Sequence, residues 1–281
     1  MMILFFLAVA ILGLLVGSFL NVVIYRYNTG LSFAKGRSQC FVCGKKLVWY
    51  ELIPVVSFVI QKGRCRSCQT KISLQYPVVE ALTSLLFVAV AWRQVCLYPV
   101  FSVFENGLSY SCILAVYYAV VVSLLLAIAV YDMRHKIIPD GLVYTFIALA
   151  TAKLLLFTYF FGLPLNMGHT LNLLAPLLLF TPFALLWLVS KGMWIGFGDA
   201  KLAFGIGALL GLPLGLSAIM LGFWIGAAVS ILLLVLQKFM WGQTKMNLKS
   251  EIPFAPFLII GTLVVLFTHL DILGLTDLLN G

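Results

Sequence analysis

The chain has 281 residues, 63% of them hydrophobic and only 10% charged, with a net charge of +9. A mean hydropathy of +1.12 and several long apolar runs exclude an ordinary soluble domain. They predict instead an all-α polytopic membrane protein.

In chain order, the first apolar run covers about residues 2–24. It lacks a basic leader and runs too long for a signal peptide, so 1–25 reads as the first transmembrane helix. Residues 26–76 form a basic segment with nine Lys and Arg (Arg26, Lys35, Arg37, Lys45, Lys46, Lys62, Arg64, Arg66, Lys71) against Glu51 alone. Excess Lys and Arg mark cytoplasmic loops, which puts the N-terminus outside and this segment inside. Beside a membrane, such charge reads as attraction to anionic lipid and not to nucleic acid.

Within that segment stand Cys40-x2-Cys43 and Cys65-x2-Cys68, with 21 residues between the pairs. Each C-x2-C turn offers two thiolates to one tetrahedral ion, and a cytoplasmic location argues against disulfides. Lys45, Lys46, Arg64 and Arg66 are expected to favour the thiolates. A four-sulfur zinc site is closed, so the metal is expected to hold the fold and not to catalyse. A segment of this length builds little core of its own, and a metal supplies the missing stability.

From 77 to 281 the chain is almost entirely apolar, with further spans expected at about 77–97, 111–132, 142–162, 170–190, 200–213, 215–236 and 254–270. Eight spans result, the sixth being the shortest. Arg93 lies close enough to a span end to reach the outer interface, whereas Lys153 must snorkel or find an internal partner. Cys96 and Cys112 flank the loop after the second span, as a disulfide or as two free thiols.

Alternating spans put Asp132, at the end of the third, and Asp199, at the start of the sixth, on the inner face. Acids at a membrane span are costly and call for a named partner. If these two face one another they can share a proton: one activates a water, and the other, protonated, polarises a peptide carbonyl. The competing reading makes each a helix cap. Asp140, after Pro139 and before the fourth span, fits a cap better than a catalyst. Gly196 and Gly198 around Phe197 let the backbone bend and approach a substrate strand. Gly205, Gly207, Gly211 and Gly215 read as close helix packing. The chain has no H-E-x-x-H and no G-x-S-x-G.

Together these residues resemble the type IV prepilin peptidases, a GxGD aspartyl protease family. The resemblance rests on Gly17-Ser18-Phe19-Leu20-Asn21, the two cysteine pairs framing Trp49-Tyr50-Glu51-Leu52-Ile53-Pro54, Tyr76-Pro77-Val78-Val79-Glu80, Ile138-Pro139-Asp140 and Gly196-Phe197-Gly198-Asp199-Ala200-Lys201. It implies that Asp132 and Asp199 are the catalytic pair and that the substrate is a prepilin or pseudopilin. Such a substrate has a short basic leader that is cut off where its apolar helix begins. It also implies methylation of the new N-terminus with S-adenosylmethionine, for which the sequence offers no independent motif. Phe41 stands where the family often has proline, and Gln75 where an arginine is common; neither touches an aspartate. The alternative is a non-enzymatic, zinc-bearing assembly factor of a secretion or pilus system. An ion transporter is disfavoured because the spans hold little polar besides Lys153.

Overall fold

The computed structural model describes residues 2–33, 36–94, 107–161, 167–241 and 253–280. Cys96, and with it the question of a Cys96–Cys112 bridge, lies outside them. The described residues are helical throughout apart from turns and two isolated β-bridges. They divide into two compact units, 1–127 and 128–281.

The first unit contains α1 (Met2–Arg26), a short helix α2 (Val56–Ile60), α3 (Gln75–Trp92) and most of α4 (Gly107–His135). Close packing of α1 on α3 depends on two glycines. A Cβ added at Gly13 would stand 2.6 Å from Ser84 Cα, and one at Gly17 2.7 Å from Glu80 Cα. Small residues of this kind let helix backbones approach where lipid supplies no hydrophobic drive. Polar pins add to the contact. Ser84 Oγ donates to the Ala10 carbonyl at 2.9 Å, and Asn21 Nδ2 donates to the Tyr76 carbonyl at 3.2 Å. Arg93 is buried, with its guanidinium 4.9 Å from the Tyr118 ring centre.

The second unit contains the end of α4, then α5 (Asp140–Phe161), α6 (Met167–Ser190), α7 (Phe197–Leu210), α8 (Leu212–Trp241), α9 (Ala255–Thr268) and a short α10 (Leu275–Asn280). α7 is the hub and packs against α5, α6, α8 and α9. Its glycines explain how. A Cβ at Gly205 would fall 2.3 Å from Phe146 Cε1 on α5, and one at Gly207 2.6 Å from the Ala175 carbonyl oxygen on α6. Gly211, at φ +79°, turns the chain from α7 into α8, where the Leu212 N–H donates to Asn172 Oδ1 at 3.0 Å. Lys153 finds an internal partner: its Nζ donates to the Leu209 carbonyl at 3.2 Å, in the last turn of α7. A cation at a helix C-terminus satisfies a carbonyl and opposes the negative end of the dipole.

Helices occupy all eight expected span positions, and six of them are long and apolar enough to cross a membrane. The other two, α7 and α9, have 14 residues each. At about 1.5 Å per residue each covers roughly 21 Å, short of a hydrocarbon core of about 30 Å.

Candidate active site

Asp132 lies near the C-terminal end of α4, whose last residues include Arg134 and His135. Asp199 lies in the first turn of α7. The helix starts three residues before the expected 200: only Gly196 is outside it, as an extended N-cap at φ −72° and ψ 143°. The Asp199 N–H donates to the Gly196 carbonyl at 3.1 Å. Both carboxylates are buried, Asp132 at 4% exposure and Asp199 at 7%. Both line one cavity of about 950 Å³ in the second unit. Each also has a main-chain hydrogen-bond partner, Ala255 at the start of α9 for Asp132 and Gly196 for Asp199.

The surrounding residues fix the start of α7 in place. Gly198 is required for close approach, since a Cβ there would stand 2.8 Å from Ile138 Cβ. Phe197 anchors α7 on α6, its ring centre 4.9 Å from that of Trp187 and 6.1 Å from that of Phe180. Lys201 Nζ pairs with Asp140 Oδ1 at 2.7 Å and lies 4.8 Å from the Tyr144 ring centre. Asp140 is the first residue of α5, and its carboxylate holds Lys201 and so ties the start of α5 to the start of α7. The rest of the cavity wall is largely apolar and aromatic, with Leu186, Trp194, Phe223, Phe254 and Phe257.

The cysteine module belongs to the first unit. Its two C-x2-C turns have the same main-chain pattern. The Cys40 N–H donates to the Lys45 carbonyl and the Cys65 N–H to the Thr70 carbonyl, each at 2.9 Å. The Gly44 and Gln69 amides donate back to the Cys40 and Cys65 carbonyls, also at 2.9 Å. The bridges Gln39–Lys46 and Arg64–Lys71 close the two loops.

All four sulfurs lie within 4.8 Å of one another, and Cys40 and Cys68 are 3.8 Å apart. Tetrahedral coordination with a metal–sulfur bond of ~2.3 Å requires sulfurs ~3.8 Å apart, so the four fit a single ion. Cys68 is drawn down to about 6 by the Thr70 hydroxyl and amide, and Cys40 is lowered by the Cys43 and Val42 amides. Of the four cations expected to do this, Lys45 and Arg66 are engaged elsewhere. Lys45 pairs with Glu51 at 3.4 Å, and Arg66 lies 5.0 Å from the Tyr50 ring centre.

Glu80 was quoted in the sequence reading but given no role. It is buried at 6% and accepts the Val55 N–H at 2.7 Å. Val55 has φ +59°, an unusual conformation for a β-branched residue. Glu80 therefore pins the loop beyond the cysteine knuckle to α3. The signal was present: an acid in an apolar helix prompts the same question as Asp132 and Asp199.

Comparison with known proteins agrees with these two units. A family model described as the bacterial peptidase A24 N-terminal domain matches residues 11–94, and one described as the type IV leader peptidase family matches 119–231. Three similar proteins are named prepilin leader peptidase/N-methyltransferase. The one from Bacillus subtilis is 32% identical over 90% of both chains. The one from Xanthomonas campestris is 31% identical over 94% of this chain and 92% of its own. The one from Myxococcus xanthus is 36% identical over 80% of this chain, which spans 62% of that relative's length. No solved structure matches. By its ordered motifs, its helical membrane architecture and relatives matched along nearly their whole length, the chain belongs to the type IV leader peptidase family.

Proposed function

We propose that the protein is a membrane aspartyl endopeptidase in which Asp132 and Asp199 remove the leader from type IV prepilins or pseudopilins. The observation that carries this reading is the burial of two carboxylates in one apolar-walled cavity. Two caps on separate helix ends would have no reason to converge there. With one proton between them, the ionised carboxylate takes a proton from water as the water oxygen bonds to the scissile carbonyl carbon. The protonated partner donates to the carbonyl oxygen, giving a tetrahedral diol. Proton transfer to the leaving amine then breaks the C–N bond.

In the proposed topology the N-terminus is outside the cytoplasmic membrane and the basic segment 26–76 inside. The site then lies at the inner face, where a basic leader meets an apolar helix. Gly196, Phe197 and Gly198 shape the edge of the cavity against which the substrate backbone would lie.

Cys40, Cys43, Cys65 and Cys68 would hold structural zinc. With four sulfur ligands the ion would have no open position, and its contribution is to the fold. Transfer of a methyl group from S-adenosylmethionine to the new N-terminus is a second proposed activity, suggested by the relatives' names. Nothing in the described residues marks where that cofactor binds, and the peptidase step does not need it.

The test is cleavage of a co-expressed prepilin by Asp132→Asn and Asp199→Asn. Each single change should abolish cleavage while the protein still accumulates in the membrane. Survival of cleavage in both would favour the non-enzymatic assembly factor.

A further inference from the structure

The cysteine-bearing segment between α1 and α3 has a surface that the peptidase reaction does not use. Over Trp49–Ile60 its polarity is the reverse of that in a water-soluble module. The acid of the 3₁₀ turn Trp49–Leu52, Glu51, is turned inward, where it accepts the Val48 N–H at 3.0 Å and pairs with Lys45. The apolar residues face out, with Trp49 at 77% exposure, Val59 at 67% and Ile60 at 64%. No residue of α2 is buried. Leu52, Ile53 and Val56 are exposed in the same stretch.

The same segment carries exposed basic side chains. Lys46, Lys62, Arg64, Arg66 and Lys71 are all exposed, and Glu51, the one acid of 26–76, is buried. Both ends of the segment run directly into membrane-spanning helices, α1 ending at Arg26 and α3 beginning at Gln75. Tyr25 and Tyr76 stack at its base, ring centres 5.1 Å apart.

We infer that the Trp49–Ile60 face is an interfacial anchor that rests on the anionic headgroups of the bilayer that α1 and α3 cross. A short amphipathic element with tryptophan and aliphatic residues on one side and basic residues around it lies in the headgroup plane. The cations match the negative surface potential of anionic lipid, while their stems extend along the apolar face. Nucleic acid would match the charge but leave Val59 and Ile60 in water. This inference does not depend on the peptidase reading, because it concerns a different unit and a physical readout.

The full chain is reconstituted in vesicles of phosphatidylcholine alone or mixed with phosphatidylglycerol. Emission of the Trp49→Phe variant, subtracted from that of the unaltered protein, isolates Trp49. That difference signal should fall by about half or more when lipid brominated near the headgroup replaces ordinary lipid. The fall should be larger with phosphatidylglycerol present, and aqueous iodide should have little effect. A difference signal quenched by iodide and not by brominated lipid would overturn the inference, since the face would then be in water. Shielding from both quenchers would also overturn it, because protein would then cover the face. Equal quenching in the two lipid mixtures would remove the anionic requirement. The Trp49→Phe change is on an exposed ring; Val59→Gln offers a second route, with a predicted red shift in Trp49 emission as the neighbouring anchor is lost.

Discussion

Asp132 and Asp140 are eight positions apart and chemically identical, yet the fold separates their uses. All three acids line the cavity, but Asp132 and Asp199 are buried, whereas the Asp140 side chain is 64% exposed and engaged by Lys201. Asp132→Asn or Asp199→Asn should lower the cleavage rate by at least about 10²-fold, the usual scale for loss of a positioned general acid or base. Asp140→Asn should cost less than about tenfold, because an exposed ion pair contributes only about 1 kcal/mol or less. Rates on one prepilin, measured at equal enzyme amounts, distinguish the two. The two buried acids were legible in the sequence because acids at apolar spans are rare, and Asp140 reads there as a helix cap. Its partner was not legible, since Lys201 is 61 residues away and only the packing of α5 on α7 brings the two together. Glu80 was missed although the same rule applied to it.

At the scale of the element, α7 decides whether the site exists. It holds Asp199 and packs against four neighbouring helices through glycines. Gly207→Val should destabilise the second unit by about 1–3 kcal/mol, the usual cost of overpacking, because even its Cβ would meet the Ala175 carbonyl oxygen at 2.6 Å. A fall in Tm of the purified protein in detergent would register this; an unchanged Tm would show that α7 and α6 do not touch there. Their spacing suggested the packing role of Gly205 and Gly207, but not which helix each would meet, and Gly211 instead turns the chain from α7 into α8. The start of α7 was misplaced by three residues because a glycine-rich stretch reads as a turn. In the structure Gly196 caps the helix, and Phe197, held against α6, begins it. The cysteine knuckles make a separate element with its own test. The purified protein should hold about one zinc per chain, and Cys65→Ser should lower both zinc content and thermal stability. Full zinc occupancy in that variant would contradict a four-cysteine site.

For the whole molecule, charge asymmetry carries the topology. Green fluorescent protein fused after Gly36 should fluoresce, and alkaline phosphatase fused at the same point should be inactive, if the nine basic residues of 26–76 hold it inside as proposed. The opposite pair of results would reverse the topology. Apolar runs were enough to locate every long helix, since each satisfies its backbone hydrogen bonds within itself in lipid. They made α7 the shortest span but did not fix how far it and α9 fall short of a full crossing. That depends on where Gly211 and the αL residue His269, at φ 53°, end those helices.

The central claim is that paired acids in one cavity cut a prepilin leader. Mass spectrometry of a co-expressed prepilin's N-terminus tests it most directly. With the unaltered protein, the N-terminus should begin at the apolar helix with the basic leader gone, and any added methyl group would appear in the same spectrum. With Asp132→Asn or Asp199→Asn, the leader should remain intact. An intact leader with the unaltered protein, or a removed leader with both variants, would contradict the account.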